Sequence, residues 1–304
     1  MIKLQKNRSL SKLSNFDIGG KAKFFTEIKN DKELLEAVNL SKKLKIIYQI
    51  IGGGSNVVFP DEFLNRLIIK INNKDFKIIR NKAIIDAGAP LFLSIKKMIN
   101  AGLGGLETLS GIPGTIGGAI VGNAGAYGHS ISEVIEKAQI YNGKKVLWLK
   151  NKDCDFRYRE SIFKRRRDFV ILKVVFNLKK GDKKELQKTS KEIVIERLKK
   201  YPTGLKCAGS FFKNLVVKEI KPEILKLIDK NKIIEEKVPT GYLLEEVGAK
   251  GMKIGDIAVA DYHANLLVNR GNGKASDIKK LAKILKEKVE KRFGIILEEE
   301  VRYL

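Results

Sequence analysis

Seven glycines stand in one uncharged stretch, residues 110–128, whose sequence is SGIPGTIGGAIVGNAGAYG. Glycine at this density weakens helices and strands, and it allows the backbone to come close to a ligand. Backbone N–H groups in glycine-rich turns form concave anion-binding sites, and phosphate groups commonly bind there. The stretch therefore predicts a site for a diphosphate.

A second glycine-rich turn lies upstream, in the segment IGGGSNVVF at residues 51–59. It follows an apolar run, residues 46–51, that predicts a buried strand, and a strand leading into a glycine turn is a plausible phosphate cradle. Two such loops predict one large dinucleotide ligand. A Rossmann turn is excluded, because Gly102-x-Gly104 is followed by Glu107 where the third glycine is required.

Two other interpretations of residues 110–128 are weaker. A membrane span is disfavoured because Gly, Pro, Asn, Thr and Ser dilute the hydrophobicity of the stretch. A flexible linker is disfavoured because Ile112, Ile116, Ile120 and Val121 favour burial over a solvated coil.

The chain has 304 residues and a formal net charge of +25. Such a charge is typical of proteins that bind nucleic acid or membrane surfaces, or of a lysine-rich bias spread over all solvated faces. We favour the bias, because lysines are scattered and the one tight basic run is residues 164–167. We therefore expect no nucleic-acid or membrane partner, and a basic surface that steers small anionic molecules.

Cysteine and histidine usage excludes two kinds of site. Cys154 and Cys207 are the two cysteines, and His129 and His263 are the two histidines. Neither pair has ligand spacing, so we expect no metal site and no disulfide framework. This usage and a charged N-terminus without an apolar run predict a cytoplasmic protein.

The periodicity of apolar residues predicts the elements that position the glycine loops. Helices are predicted at 31–44 with Asp31 as N-cap, at 91–101 ending in Gly102, at 183–200, 222–230 and 242–247, and between Ser276 as N-cap and Gly294. Strands are predicted at 46–51, 67–71, 76–79, 83–87, 134–141, 146–149, 169–176, 256–260 and 265–268, with Asn142-Gly143 as a hairpin turn.

An ordered set of motifs resembles one family, the UDP-N-acetylenolpyruvoylglucosamine reductases. The set comprises FDIGG at 16–20, IGGGSNVVF at 51–59, the stretch 110–128, YRESIF at 158–163, GSFFKN at 209–214, HANLLVN at 263–269 and EEVR at 299–302. Without an inserted tyrosine-bearing loop, the chain resembles the family's short form. Leu215 departs from the pattern, since a proline commonly follows Lys-Asn.

The resemblance implies an α+β fold. It comprises an FAD-binding fold of the PCMH, or vanillyl-alcohol-oxidase, type made of two α/β subdomains, residues 1–72 and 73–200, and a C-terminal α/β substrate-binding domain, residues 201–304. The implied cofactor is non-covalent FAD, although some relatives of this fold attach flavin through histidine and His129 follows the glycine stretch.

The resemblance also implies the reaction. NADPH reduces FAD, and the enolpyruvyl ether of the substrate is then reduced to UDP-N-acetylmuramate for peptidoglycan synthesis. Charge develops on the substrate carboxylate, so the site needs a fixed cation and an acid. The family pattern assigns the carboxylate contact to Arg159, the proton donor to Ser210 and enol stabilisation to Glu300. Only the Glu-Val-Arg register selects Glu300 over Glu298 and Glu299.

The remaining expected site residues fall into two groups. Those expected to contact FAD, mostly through backbone N–H groups, are Gly52, Gly53, Gly54, Ser55, Asn56, Ser110, Gly111, Ile112, Pro113, Gly114, Thr115, Gly117, Gly118, Asn123, Gly125 and Ala126. Those expected to contact the UDP phosphates are Tyr158, Lys213 and Asn214, and the sequence does not rank Lys199, Lys200 and Lys206 as further contacts.

Two alternative functions are open to test. An FAD-dependent alcohol or sugar oxidase of the same fold would need both glycine loops, but it has no reason to contain YRES, GSFFKN and EEVR together. A nucleic-acid-binding protein would need basic residues interleaved with aromatic ones on one surface.

Overall fold

The structure is a computed structural model and describes residues 2–304. The chain forms two compact units. Unit 1 comprises residues 1–8, 22–54 and 65–200, and unit 2 comprises residues 9–21, 55–64 and 201–304. Two segments of the expected subdomain 1–72 therefore belong to unit 2.

Two sheets form most of unit 1. A four-stranded sheet has the strand order Gln5–Ser9, Lys21–Ile28, Leu64–Ile71 and Ile47–Ile51, and its last two strands are parallel. A five-stranded antiparallel sheet has the order Val146–Lys150, Ile135–Tyr141, Val170–Asn177, Lys82–Asp86 and Phe76–Ile79. Short strand pairs join Gly125–Ala126 with His129–Ser130 and Leu103–Gly104 with Lys179–Lys180.

The helices of unit 1 are Asp31–Lys43, Leu91–Asn100, Ile116–Val121, Ile162–Arg165 and Lys183–Lys200. Buried faces of these helices and of both sheets form a single apolar cluster. Leu67, Ile85, Ile95 and Val174 lie in it with at most 1% of their surface exposed. Burial of this kind stabilises the framework that holds the glycine loops.

Unit 2 is built around its C-terminal helix, Ala275–Phe293. Its strands are Val57–Val58 paired with Arg302–Tyr303, Leu215–Val216 paired with Lys237–Val238, and a sheet of Lys253–Ile254, Ile257–Ala260 and His263–Asn269. Its other helices are Pro222–Leu225 and Thr240–Glu246. Phe16, Ile18 and Val58 lie in its apolar core, which explains why two early segments belong to this unit.

Several sequence predictions hold at the level of single elements. Helix Lys183–Lys200 and strand Phe76–Ile79 have the predicted bounds. Gly102 follows helix Leu91–Asn100 with φ of +70°, in the left-handed conformation that the prediction requires. The hairpin at Asn142-Gly143 joins two antiparallel strands as predicted.

Other predictions were wrong in detail. Asn30, not Asp31, caps the first helix, because its side chain accepts the Glu33 N–H at 3.0 Å. The C-terminal helix begins at Ala275, so Ser276 lies inside it. The segment 222–230 is helical only at 222–225.

Strand Ile47–Ile51 was predicted to be buried from its apolar run, but only Ile51 is buried. It lies at the edge of its sheet, and 67% of the Ile47 surface is exposed.

Within residues 2–304, no helix is both long enough and apolar enough to cross a membrane.

Candidate functional site

The two glycine loops contact each other in unit 1. A Cβ added to Gly53 would lie 2.8 Å from the Gly114 Cα, and one added to Gly52 would lie 2.5 Å from the Thr115 Oγ1. Both distances are shorter than atoms tolerate, and because the Gly53 contact is with backbone, glycine is required there for the two backbones to approach. The two loops that the sequence assigned to one ligand therefore do lie together.

Backbone donors remain available where these loops meet. Within residues 2–304, the N–H groups of Gly53, Gly54, Gly114 and Thr115 have no hydrogen-bond acceptor. Gly53 is exposed, Gly114 and Thr115 are partly buried, and Gly54 is buried. Donors that solvent can reach and that have no partner within the chain are open to water or to an anionic ligand. The use of these backbone N–H groups to bind the cofactor remains a prediction.

Other expected cofactor contacts also make hydrogen bonds within the chain. The Gly117 N–H donates to the Ala87 carbonyl at 2.8 Å, and the Gly118 N–H donates to the Thr115 Oγ1 at 3.3 Å. The Ile112 N–H donates to the Leu109 carbonyl at 3.2 Å. The buried Ser110 hydroxyl lies at hydrogen-bonding distance, 2.8 Å, from the Ser190 hydroxyl. These groups fix the shape of the loop.

The remaining expected residues of the glycine loops flank the point where the loops meet. Gly111 and Pro113 belong to the loop before Gly114, and Gly111 has φ of +78°. Ser55 and Asn56 belong to unit 2, where the Asn56 amide donates to the Glu300 carbonyl at 3.1 Å.

Arg159 lies on a tight turn of unit 1. The Arg157 N–H donates to the Glu160 carbonyl at 3.0 Å, and the Glu160 N–H donates back at 3.1 Å. Tyr158 and Arg159 form the tip, and Arg159 has φ of +54°. The Arg159 guanidinium lies 5.4 Å from the centre of the Tyr158 ring. Backbone hydrogen bonds therefore fix where this side chain begins.

Two side-chain hydrogen bonds attach this turn to the glycine stretch. The Asn123 amide donates to the Arg157 carbonyl at 2.9 Å, and the Ser161 hydroxyl donates to the Val121 carbonyl at 2.7 Å. An added Cβ on Gly125 would lie 3.3 Å from the Arg159 Nη1. Arg159 and the hairpin that contains Gly125 and Ala126 are therefore neighbours, as an active site on this stretch requires.

Ser210 and Glu300 lie close in unit 2. The Glu300 N–H donates to the Phe211 carbonyl at 2.8 Å, and the Lys213 N–H donates to the Glu298 carbonyl at 2.9 Å. The segment that follows Ser210 therefore pairs with the C-terminal EEVR segment. This pairing brings together two expected catalytic residues that are 90 positions apart.

The neighbouring glutamates have structural partners. The Glu298 carboxylate pairs with the Lys213 ammonium, and the Glu299 carboxylate pairs with Lys286 of the C-terminal helix. Lys213 is buried and its ammonium group already pairs with Glu298. The expected contact between Lys213 and a phosphate would therefore have to form beside this ion pair. Asn214 accepts the Thr240 N–H at 3.2 Å.

A cavity of about 420 Å³ opens in unit 2. It is lined by Gly204, Leu205, Lys206, Ala260, Asp261, Tyr262, Val268, Asn269 and Arg270. Lys206 pairs with Asp17 at 2.8 Å, and Arg270 pairs with Asp261 at 2.9 Å. The Lys12 and Lys206 ammonium groups hold the pKa of Asp17 below its ordinary value of 3.8.

The cysteines lack the surroundings of a nucleophile. Burial raises the pKa of the Cys154 thiol to about 12, and burial also raises the pKa of Cys207. A buried protonated thiol is inert. Within residues 2–304, no cluster of His, Cys, Asp and Glu side chains has the geometry of a metal site.

Comparison with known proteins defines the family. Residues 201–304 match the model "UDP-N-acetylenolpyruvoylglucosamine reductase, C-terminal domain", and residues 22–144 match the model "FAD binding domain". A UDP-N-acetylenolpyruvoylglucosamine reductase of Solibacter usitatus is 40% identical, over 97% of this chain and 95% of that protein. The chain belongs to the UDP-N-acetylenolpyruvoylglucosamine reductase family.

Further comparisons support this family and its fold. The reductase of Pseudothermotoga lettingae is 35% identical over 95% of this chain and 93% of that protein. The crystal structure of the reductase from Thermus caldophilus has a TM-score of 0.78 and 25% identity, covering 100% of this chain and 98% of that one. The α+β fold with an FAD-binding domain is thus confirmed, and this reductase-family chain is an FAD-dependent oxidoreductase.

FAD fits the residues present. The contact of Gly53 with Gly114 forms a cradle that any side chain would fill, and the N–H groups beside it suit a diphosphate. The Gly53, Gly54, Gly114 and Thr115 backbones are therefore the best candidates to hold it.

Sequence reasoning missed two residues near Ser210. The Asn265 amide donates to the Phe212 carbonyl and its oxygen accepts the Phe212 N–H, both at 2.8 Å. The Tyr201 hydroxyl lies 3.1 Å from the Ser210 hydroxyl. The asparagine of HANLLVN was a signal for the first, whereas a tyrosine in an apparent linker gave no signal for the second.

Proposed function

We propose that this chain reduces UDP-N-acetylenolpyruvoylglucosamine to UDP-N-acetylmuramate with NADPH, as a cytoplasmic step of peptidoglycan precursor synthesis. The observation that carries the proposal is the turn that holds Arg159 against the glycine stretch, beside Gly125. A relative of the same family at 40% identity supports the choice of substrate. Bound FAD supplies hydride-transfer chemistry between NADPH and the methylene carbon of the substrate.

Arg159 is proposed to hold the substrate carboxylate. Hydride addition at the methylene carbon moves negative charge onto that carboxylate, and a permanently charged planar guanidinium binds it with two hydrogen bonds. Because the turn is fixed by backbone and side-chain hydrogen bonds, the charge is oriented before the reaction and needs little reorganisation.

Ser210 is proposed to protonate the carbon next to the carboxylate, and Glu300 to stabilise the enol form. Their proximity in the paired segments of unit 2 supports this assignment. The Glu-Val-Arg register selects Glu300 as the glutamate that acts in catalysis, while Glu298 and Glu299 form ion pairs with Lys213 and Lys286.

The binding assignments are also part of the proposal. FAD contacts comprise the residues named above from the two glycine loops and the Gly125 hairpin, while Tyr158, Lys213 and Asn214 contact the substrate. The three-part division at residues 72 and 200 remains our proposal for the domains, with segments 9–21 and 55–64 joined to unit 2.

An oxidase of the same fold is the less supported alternative. It would also use the two glycine loops, but it would need neither the Arg159 turn nor the pairing of the Ser210 and EEVR segments. The two functions differ in the acceptor: the reductase passes electrons to the enolpyruvyl substrate, and the oxidase passes them to O₂.

Separate measurement of the two half-reactions tests the proposal. We expect Ser210→Ala to leave flavin reduction by NADPH intact and to slow flavin reoxidation by the substrate roughly 100-fold or more. Arg159→Lys is expected to slow the same step, whereas the matched control Arg157→Lys is not, because Arg157 is exposed and its guanidinium pairs with Asp155. Loss of NADPH-dependent reduction in Ser210→Ala would contradict the role of Ser210.

A further inference from the structure

The Tyr201 hydroxyl contacts the residue proposed as proton donor. Its oxygen lies 3.1 Å from the Ser210 Oγ, which is hydrogen-bonding distance, and both residues belong to unit 2. Tyr201 directly follows helix Lys183–Lys200 and stands nine residues before Ser210. The contact is therefore made inside one short segment of the chain.

Both partners of this contact are held in position. The Tyr201 ring packs against an apolar cluster that includes Cys207, Ala258 and Leu266. Ser210 follows Gly209, whose φ of +80° turns the chain sharply, and the Phe211 N–H that follows donates to the Asn265 carbonyl at 2.9 Å. The hydroxyl–hydroxyl contact thus rests on packing on one side and on backbone hydrogen bonds on the other.

The chemistry of serine explains why such a partner is useful. An aliphatic hydroxyl is a poor acid, so a serine that gives up its proton needs a donor to stabilise the alkoxide that forms. A phenol is a stronger acid than an aliphatic alcohol and both donates and accepts hydrogen bonds. A tyrosine at hydrogen-bonding distance meets this need.

We propose that Tyr201 is a positioning residue that acts through Ser210, an inference that rests on the proposed function. The Tyr201 hydroxyl donates a hydrogen bond to the Ser210 Oγ. As the substrate carbon takes the Ser210 proton, a C–H bond forms and the serine O–H bond breaks. The Tyr201 proton moves to the serine oxygen, and water reprotonates the phenolate. One solvent proton is consumed, and neither residue changes oxidation state.

Tyr201→Phe tests this proposal, because it removes the hydroxyl and keeps the ring that packs on the apolar cluster. We expect flavin reduction by NADPH and substrate KM to stay within about twofold, while reoxidation by UDP-N-acetylenolpyruvoylglucosamine slows roughly 10- to 100-fold. Tyr242→Phe is the matched control, since its hydroxyl faces the Asp229 N–H at 3.5 Å and not Ser210.

A double-mutant cycle separates a role through Ser210 from a merely structural one. We expect Tyr201→Phe to cause no further slowing in the Ser210→Ala background. Equal slowing in both backgrounds, or none in the single variant, would overturn the proposal. Replacement of Tyr201 by fluorotyrosine retains the hydroxyl and should retain the rate of flavin reoxidation. Slowing as large as that of Tyr201→Phe would therefore also contradict the proposal.

The cycle also distinguishes failure of this inference from failure of the proposed function. A wild-type flavin that the substrate reoxidises, with Tyr201→Phe unchanged, contradicts the role of Tyr201 alone. A wild-type flavin that the substrate never reoxidises contradicts the proposed function and this inference with it.

Discussion

At the scale of single residues, the two loops can meet only where glycine leaves room for the backbone. Gly53 and Gly114 bring two backbones into contact, and their N–H groups are available beside that contact. Gly122, in the same stretch, has φ of −87° and its nearest atom in the direction of a Cβ is 3.9 Å away. The stretch therefore contains glycines with different roles, which permits a matched comparison.

We predict that Gly53→Ala weakens FAD binding by at least about tenfold, because the new methyl group would press on the Gly114 backbone and separate the loops. Gly122→Ala should change the affinity by less than about twofold, since the added methyl group would meet its nearest atom, the Gly118 carbonyl oxygen, at 3.9 Å, an ordinary van der Waals distance. Titration of the apoprotein with FAD, followed by flavin fluorescence, measures both. Equal affinities for the two variants would contradict the location of the cofactor loops.

Residue-scale features of the site were only partly predictable from the sequence. Glycine density indicated the loops directly, because no other residue permits such close backbone approach. Arg159, Ser210 and Glu300 depended on the motif resemblance, since nothing in an isolated arginine or serine marks it as functional. Asn265 binds Phe212 across 53 residues, a contact that local pattern does not specify.

At the scale of elements, the turn that carries Arg159 is the part most closely tied to function. The Asn123 amide donates to the Arg157 carbonyl of the turn, and the hydroxyl of Ser161, which follows the turn, donates to the Val121 carbonyl. Ser161 is fully buried, so its hydroxyl acts on the turn and not on the solvent.

We predict that Ser161→Ala lowers stability by about 1 kcal/mol, the typical value of one hydrogen bond, and also slows substrate-dependent flavin reoxidation. Ser41→Ala is the control, because Ser41 is equally buried and donates to the Ile46 carbonyl at 2.5 Å, in a part of unit 1 that holds no site residue. Thermal unfolding and stopped-flow absorbance give the two readouts. The same loss of rate in both variants would contradict a specific role for the turn.

A pH dependence is expected from the segment 9–21. The Lys12 and Lys206 ammonium groups lower the pKa of Asp17 in the folded protein below its ordinary value of 3.8. The ionised carboxylate therefore stabilises the fold fully above about pH 3.8, and this stabilisation is lost as the pH falls through the lower folded-state pKa. Between about pH 6 and pH 3, we expect the wild type to lose more thermal stability than Asp17→Asn. The exposed Asp153→Asn should behave like the wild type, and parallel curves for wild type and Asp17→Asn would contradict the prediction.

The local sequence pattern predicted the positions of helices and strands better than it predicted helix caps or the burial of strands. Helix Lys183–Lys200 was predictable from its periodicity, whereas Asn30 and Asp31 are both good caps and only the observed Glu33 contact decides between them. An apolar run such as Ile47–Ile51 does not indicate whether its strand lies at the centre or the edge of a sheet, because that depends on pairing with distant strands.

At the scale of the whole molecule, the assembly of unit 2 from three chain segments could not be predicted from local sequence. Phe16, Ile18 and Val58 pack into a core otherwise formed by residues after 200. Such packing depends on contacts between residues more than 140 positions apart, whereas the periodicity of apolar residues describes only residues that are close in sequence.

The net charge of +25 leads to a prediction for the whole molecule. Raising the salt concentration from about 0.1 M to about 1 M shortens the screening length from about 10 Å to about 3 Å. We expect kcat/KM for NADPH to fall over this range because attraction of the anionic reductant is screened, while kcat stays constant. An uncharged dihydronicotinamide serves as control, and an equal fall with both reductants would contradict electrostatic steering.

The most direct test of the proposed function is an anaerobic visible spectrum of the purified protein with FAD. We predict that NADPH bleaches the flavin absorbance and that addition of UDP-N-acetylenolpyruvoylglucosamine restores it, with formation of UDP-N-acetylmuramate. A bleached flavin that recovers only when air is admitted would contradict the reductase function and support the oxidase.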